Sequence, residues 1–198
     1  MTVAIIDTGC ANILSVQCAL DRLGAVFRLA AAPDEAVGAD RLILPGVGTA
    51  SAAMRTLRAR GWVNALKAEK RPLLGICLGM QLLFEQSDED GTACLGLIPG
   101  RVSRLVPPEG APWPHMGWNR LNFVPGEDPL LQGVDPGSHV YFVHGFAAPN
   151  GSATVATCSF GQSIPAVVRK EAITGCQFHP ERSSATGQRI LANFIGGL

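Results

Sequence analysis

Charge is what this sequence has least of. Only 16% of its 198 residues are charged, and Lys plus Arg balance Asp plus Glu at 16 each. A neutral chain presents no net field toward nucleic acid or an anionic membrane, so neither is expected as a partner. No apolar stretch reaches the length of a bilayer span. The stretch from Met1 to Asp7 lacks the basic and then long apolar pattern of a secretory leader. The six cysteines, at 10, 18, 77, 94, 158 and 176, include no C-x-x-C pair. A chain this long and apolar does not need disulfide staples, so reduced thiols and a cytoplasmic location are expected. The four histidines lack metal spacing relative to the cysteines, and neither a metal nor an organic cofactor is expected. Internal repeats and long linkers are absent as well. Carboxylates thin out toward the end, where only Glu171 and Glu181 follow Asp135. A carboxylate in that half therefore invites a question about its task.

What is present is apolar material, 47% of the chain, enough to core a single domain spanning residues 1–198. Val3 to Ile6 is a run suited to a strand covered on both faces. Asn12 can cap a helix whose apolar residues, from Ile13 to Leu23, recur at helical spacing before Gly24. Val26 to Leu29 and Leu42 to Leu44 read as strands, with a short helix opening at Pro33. Met54, Leu57 and Arg58 begin a further helix, interrupted at Gly61 and resumed through Val63 and Leu66. Leu73 to Ile76 is the next strand. Strand alternating with helix predicts an α/β fold with an open, mostly parallel twisted sheet flanked by helices. Beyond residue 87 the texture shifts to a proline-rich segment, Gly100 to Gly117, and short β-like runs. These are Gly100–Val106, Arg120–Val124, His139–Val143, Thr154–Cys158, Ala166–Arg169 and Ile173–Phe178. They predict strands added to the sheet and a small antiparallel subsheet, closed by a helix over Gln188–Ile195. Asp7, the Pro45–Gly48 loop and Cys77 fall at the carboxyl ends of parallel strands, where such sheets bind ligands, so they are expected to share one crevice.

The chemistry concentrates where the run from Leu73 breaks. Gly75-Ile76-Cys77-Leu78-Gly79 has the form of a nucleophile elbow with sulfur in place of oxygen. The flanking glycines let neighbouring backbone pass close to a cramped turn. A helix N-terminus just after the cysteine favours a thiolate. A lone cysteine is more often a small core residue, so the reading needs a base. Among the four histidines only His179 has a carboxylate two residues on, Glu181, with Pro180 between them. Proline disfavours helix at the preceding residue, so the two side chains are expected to point the same way from an extended segment. Glu181 would then orient the imidazole and stabilise its cation. An oxyanion could be met by N–H groups of the Pro45–Gly48 loop, at Val47, and of Leu78. On composition alone that loop reads equally well as an ordinary tight turn.

Taken together these stretches resemble the class I, or triad, glutamine amidotransferases. Cys77 matches that family's nucleophile, Gln177 to Ser183 its base-and-acid motif, and Pro45 to Gly48 its oxyanion strand. Within the family, three stretches are most similar to the glutaminase subunits of imidazole glycerol phosphate synthase: Leu95 to Gly100, Pro114 to Asn119, and Tyr141 to His144. The resemblance implies a flavodoxin-like fold and hydrolysis of L-glutamine to glutamate and ammonia through a thioester on Cys77. It implies that Gly48, Gln81 and Glu89 hold glutamine. It also implies a heterodimer with a (β/α)8-barrel cyclase subunit, with Asn12, Trp118, Asn119 and Tyr141 at or near the interface. The cyclase would use the ammonia to give imidazole glycerol phosphate and an aminoimidazole carboxamide ribonucleotide. The sequence departs from the family's pattern at Thr8, Ala11, Gly145, Phe146 and Arg182. The competing readings are a glutaminase of another synthase, such as anthranilate or aminodeoxychorismate, a γ-glutamyl hydrolase or cysteine peptidase, and a non-catalytic member of the fold.

Overall fold

Strand β1 (Thr2–Ile6) shows why the apolar run needs cover on both sides. In the computed structural model, which describes residues 1–9 and 12–196, Val3 and Ile5 enter one apolar core while Ala4 and Ile6 enter another. Successive strand side chains point to opposite faces, so each face must be roofed by helices. The first core takes Val16, Ala19 and Leu20 of α1 (Ile13–Arg22). After β2 (Val26–Ala30) and β3 (Arg41–Gly46), helices α2 (Ala50–Ala59) and α3 (Trp62–Ala68) roof the second core with Met54, Leu57, Trp62 and Leu66. Strand β4 (Leu73–Cys77) then runs straight into α4 (Leu78–Leu82). The elbow therefore sits on the central strands.

Four short strands follow through the middle of the chain: β5 (Gln86–Ser87), β6 (Thr92–Ala93), β7 (Arg101–Arg104) and β8 (His115–Arg120). Next come β9 (Asn122–Phe123), β10 (His139–His144), β11 (Phe146–Ala147), β12 (Thr154–Phe160), β13 (Gln162–Lys170) and β14 (Ile173–Cys176). Helix α5 (Ser184–Gly196) closes the chain and packs Ile190, Leu191 and Phe194 into the first core. The main sheet has eight strands in the order β2-β1-β3-β4-β14-β13-β12-β9. From β2 to β14 the pairing is parallel, and from β14 to β9 it is antiparallel. Beside it lie a β8–β10 antiparallel ribbon and a small sheet ordered β11-β7-β5-β6. The open, mostly parallel α/β sheet with an antiparallel annex is the expected architecture.

Several local expectations are corrected. The second helix starts at Ala50 rather than Met54, because Thr49 caps it by accepting the Ala52 N–H at 3.4 Å. The helix opened by Pro33 is a single 3₁₀ turn, Pro33–Ala36. The run Arg120–Val124 divides, with Arg120 ending β8 and Asn122–Phe123 pairing with β12. The proline-rich segment hides β8 itself, which pairs residue for residue with β10 from His115↔His144 to Arg120↔His139. Prolines at its entrance suit the end of an edge strand. Asp7 does not join the crevice. It pairs with Arg60 at 2.6 Å and accepts the Gly9 N–H at 2.8 Å. Ala11, one of the departures from the family pattern, lies outside the described residues.

The elbow depends on close backbone packing. A Cβ on Gly79 would lie 1.8 Å from the Leu44 carbonyl oxygen, and one on Gly75 would lie 2.7 Å from both the Gly79 carbonyl oxygen and the Met80 nitrogen. Gly79→Ala must therefore push α4 off β3. It is expected to cost about 3 kcal/mol or more, at the upper end for overpacking. Urea unfolding of the variant against the parent checks this.

Candidate active site

Cys77 has φ 54° and ψ −111°, a left-handed backbone that a non-glycine residue adopts only under constraint. The strain lifts its thiol into a cavity of about 260 Å³. Val47, Gly48, Leu78, Gln81, Glu89 and His179 line the same cavity, as does the segment Val143–Phe146. A larger cavity of about 600 Å³, around Phe123, Asp128 and Leu131, shares no residue with it. Every catalytic, oxyanion and glutamine-binding residue expected from the sequence, except Glu181, thus lines one pocket. Glu181 stands behind His179.

The His179–Glu181 pair is built by a turn, not by the extended segment expected. His179 is extended, at φ −98° and ψ 96°, but Pro180–Arg182 forms a single 3₁₀ turn that brings the carboxylate back. Imidazole Nδ1 donates to Glu181 Oε1 at 2.7 Å, with both side chains buried. That bond fixes the tautomer and leaves Nε2, which has no hydrogen-bond partner, on the pocket side. The Cys77 sulfur meanwhile donates to the Val143 carbonyl at 3.6 Å. Burial works against a charged imidazole here. The neighbouring Cys77 sulfur and the Glu181 carboxylate outweigh it and raise His179 to about 10. A cationic ring is therefore favoured next to the sulfur.

Ser183, which sequence reasoning missed, ties this turn to β10. Its hydroxyl donates to the His179 carbonyl at 2.6 Å and accepts the Tyr141 N–H at 2.9 Å, while the His179 N–H donates to the Tyr141 carbonyl at 2.9 Å. The Gln177 side chain is a second omission. Gln81 Nε2 donates to Gln177 Oε1 at 3.1 Å and to the Phe146 carbonyl at 2.8 Å, so Gln81 braces the pocket wall. Glu89 Oε2 accepts the Ala50 N–H at 2.7 Å, holding a carboxylate between the pocket and the start of α2. Thr8 is buried and donates its hydroxyl to the Pro45 carbonyl at 3.4 Å, bracing the loop that carries Val47.

The four residues expected at an interface do not share one face. Trp118 and Tyr141 are register partners on the open side of the β8–β10 ribbon, with ring centroids 6.0 Å apart and Trp118 54% exposed. Asn119 points the other way, as strand alternation requires. Its Nδ2 donates to the Ser159 carbonyl at 2.8 Å and to His115 Nε2 at 3.2 Å. Asn12 caps α1 by accepting the Ser15 N–H at 3.4 Å, and it borders a narrow cleft of about 10 Å³ shared with Val47, His179 and Glu181. Behind Asn119 runs a chain of two neutral histidines. His144 Nδ1 donates to the Phe146 carbonyl at 2.8 Å, which leaves its Nε2 to accept from His115 Nδ1 at 2.9 Å. Burial lowers His144 to about 3 and His115 to about 4. None of these links has a local sequence signal.

Known proteins resemble this chain over nearly its whole length. The family model for class-I glutamine amidotransferases matches residues 4–197. The imidazole glycerol phosphate synthase subunit HisH of Vibrio cholerae is 48% identical, covering 98% of this chain and 97% of that protein. The HisH subunit of Xanthomonas axonopodis pv. citri is 53% identical over 98% and 96%. Among solved structures, a glutamine amidotransferase superposes with a TM-score of 0.75 at 19% identity, covering 98% of this chain and 97% of the other. PurLQS from Thermotoga maritima gives 0.73 at 18%, with the same coverage. Likeness at such low identity establishes the fold alone.

The histidine chain sets a pH dependence of stability. Both rings are held neutral in the fold, below the unfolded value near 6.5. Their contribution is therefore whole above pH 6.5 and lost as pH falls toward 4 and 3. At pH 5 each buried ring should cost about 2 kcal/mol relative to pH 7. Urea titrations at the two pH values should show His115→Asn losing less stability on acidification than the parent by about that amount. Equal losses in both proteins would contradict the assignment.

Proposed function

This chain belongs to the class-I glutamine amidotransferases, and from that premise we propose that it is the glutaminase subunit of an imidazole glycerol phosphate synthase. The observation that carries the chemistry is the convergence of a strained Cys77 and a Glu181-bonded His179 on one pocket. His179 Nε2 takes the Cys77 thiol proton as the sulfur attacks the side-chain amide carbon of glutamine, and negative charge develops on the amide oxygen. N–H groups of Val47 and Leu78 meet that charge. His179 passes its proton to the departing nitrogen, so ammonia leaves and a γ-glutamyl thioester remains. The now neutral imidazole takes a proton from water, whose oxygen displaces the sulfur and releases glutamate. Glu181 keeps the ring oriented through both half-reactions and stabilises its cation.

The remaining roles follow the site. Glu89 offers a carboxylate to the ammonium group of glutamine, with Gly48 and Gln81 shaping the rest of the cavity. Ammonia goes to a (β/α)8-barrel cyclase subunit, which joins it to a nucleotide substrate to give imidazole glycerol phosphate and an aminoimidazole carboxamide ribonucleotide. Trp118 and Tyr141 on the open ribbon face, with Asn12 beside the narrow cleft, form the docking side, and Asn119 holds that ribbon from within. We place the whole chain as one glutaminase domain working in the cytoplasm. Among the described residues, no helix is long and apolar enough to cross a membrane.

Glutamate release in the presence of a histidine-pathway cyclase and its nucleotide tests the reading. Turnover should rise on adding the partner and disappear in Cys77→Ala. Glu181→Gln should retain glutamine binding but lose about a hundredfold or more in kcat. Hydrolysis indifferent to the cyclase would reassign the subunit to another synthase.

A further inference from the structure

No turn requires glycine at position 145. Its φ lies outside the left-handed region that many other glycines of the chain occupy. What excludes a side chain is Trp113. A Cβ on Gly145 would lie 2.3 Å from Trp113 Cζ2 and 2.8 Å from Cε2. The indole N–H donates to the Gly145 carbonyl at 3.1 Å, an oxygen that also accepts the Leu105 N–H at 2.9 Å. Arg104 lies over the indole with its guanidinium carbon 3.9 Å from the ring centroid, a cation–π contact. Arg104 is also the register partner of Phe146, the residue after Gly145. The indole is thus held between β7 and the segment that forms one wall of the pocket.

We propose that Trp113 is a positioning residue of the glutamine site, clamping the wall Val143–Phe146 through the volume vacated at Gly145. The proposal rests on the glutaminase reading above. Cys77 is held by the β4–α4 elbow, and His179 with Glu181 by the turn before α5. The Trp113 contact touches neither. It governs Gly145 and, on either side, the His144 and Phe146 groups that bound the cavity. Loosening that wall removes contacts made equally in the ground and transition states. Such a loss raises KM and leaves kcat largely unchanged.

Steady-state glutaminase kinetics with the cyclase bound test this on Trp113→Phe, Trp113→Ala, Gly145→Ala and the double variant Trp113→Ala/Gly145→Ala. Trp113→Phe keeps a ring but drops the N–H donor, and its KM for glutamine should rise about fivefold, the worth of one neutral hydrogen bond. Gly145→Ala should raise KM by about tenfold in the parent, where the methyl meets the indole. In the Trp113→Ala background the same methyl should add nothing, because the vacated space accepts it. Urea midpoints of the four proteins read the packing half without any activity, and Gly145→Ala should lower the midpoint only when Trp113 is present. A Gly145→Ala effect equal in both backgrounds would overturn the proposal, as would a fall in kcat at constant KM. Absence of turnover in the parent would overturn the glutaminase reading, and with it the assignment of Trp113 to glutamine, while the midpoints still reported the clamp itself.

Discussion

The structure depends on one backbone contact, the approach of α4 to β3 at Gly79. With 1.8 Å between the Leu44 carbonyl oxygen and any Cβ at that position, only a bare α-carbon can pass. Because it passes, α4 starts immediately at Leu78, and the chain must reverse within Cys77 alone. That reversal forces φ 54° on a residue with a side chain, at a cost of about 1–3 kcal/mol for such a conformation. The surroundings meet that cost with central strands buried on both faces. Leu73, Leu74 and Ile76 are essentially inaccessible, and β4 is paired on both edges by β3 and β14. A nucleophile can be kept strained only where its neighbours cannot relax.

Polarity in the site is governed by partners rather than by depth. His115, His144 and His179 are all buried, and burial penalises the cation in each. His144 and His115 face each other, a backbone carbonyl and an amide, none of which carries negative charge, so they stay neutral. His179 faces a carboxylate and a sulfur, and it is the one whose cation is favoured. The scarcity of charge in the second half of the chain sharpens this difference. Glu181 is one of only two carboxylates after Asp135, and it is the one hydrogen-bonded to the imidazole.

How much of this was legible in the sequence follows from how local each signal is. The apolar runs of β1, β3 and β4 were readable because burial on both faces leaves an unbroken pattern. Cys77 was readable because close packing demands glycine at fixed offsets, and Glu181 because a lone carboxylate beside His-Pro stands out in a region poor in charge. The geometry joining His179 to Glu181 was not, since Pro serves an extended segment and the first position of a 3₁₀ turn equally well. Strand β8 was hidden because its evidence lies in β10, whose alternation of Val140, Phe142 and His144 against Tyr141 and Val143 is meaningful only once paired. For the same reason adjacent residues Trp118 and Asn119 looked like one patch. Ser183, Gln177 and the His115–His144 chain act through hydrogen bonds between segments far apart in sequence, and no local pattern announces those.

The departures from the family pattern also make physical sense at the backbone level. The short side chain of Thr8 is fully buried, and its hydroxyl reaches the Pro45 carbonyl. What the site takes from Phe146 is its carbonyl, which accepts from both His144 and Gln81. Arg182 places its guanidinium carbon 5.9 Å from the Tyr141 ring centroid, at the outer reach of a cation–π contact. A wall whose polar groups are mostly main-chain carbonyls tolerates changes of side chain, provided its backbone stays in place. What matters in such a wall is whatever holds its backbone: the amide of Gln81, the ring of His144, and the indole of Trp113, which bond the carbonyls of Phe146 and Gly145.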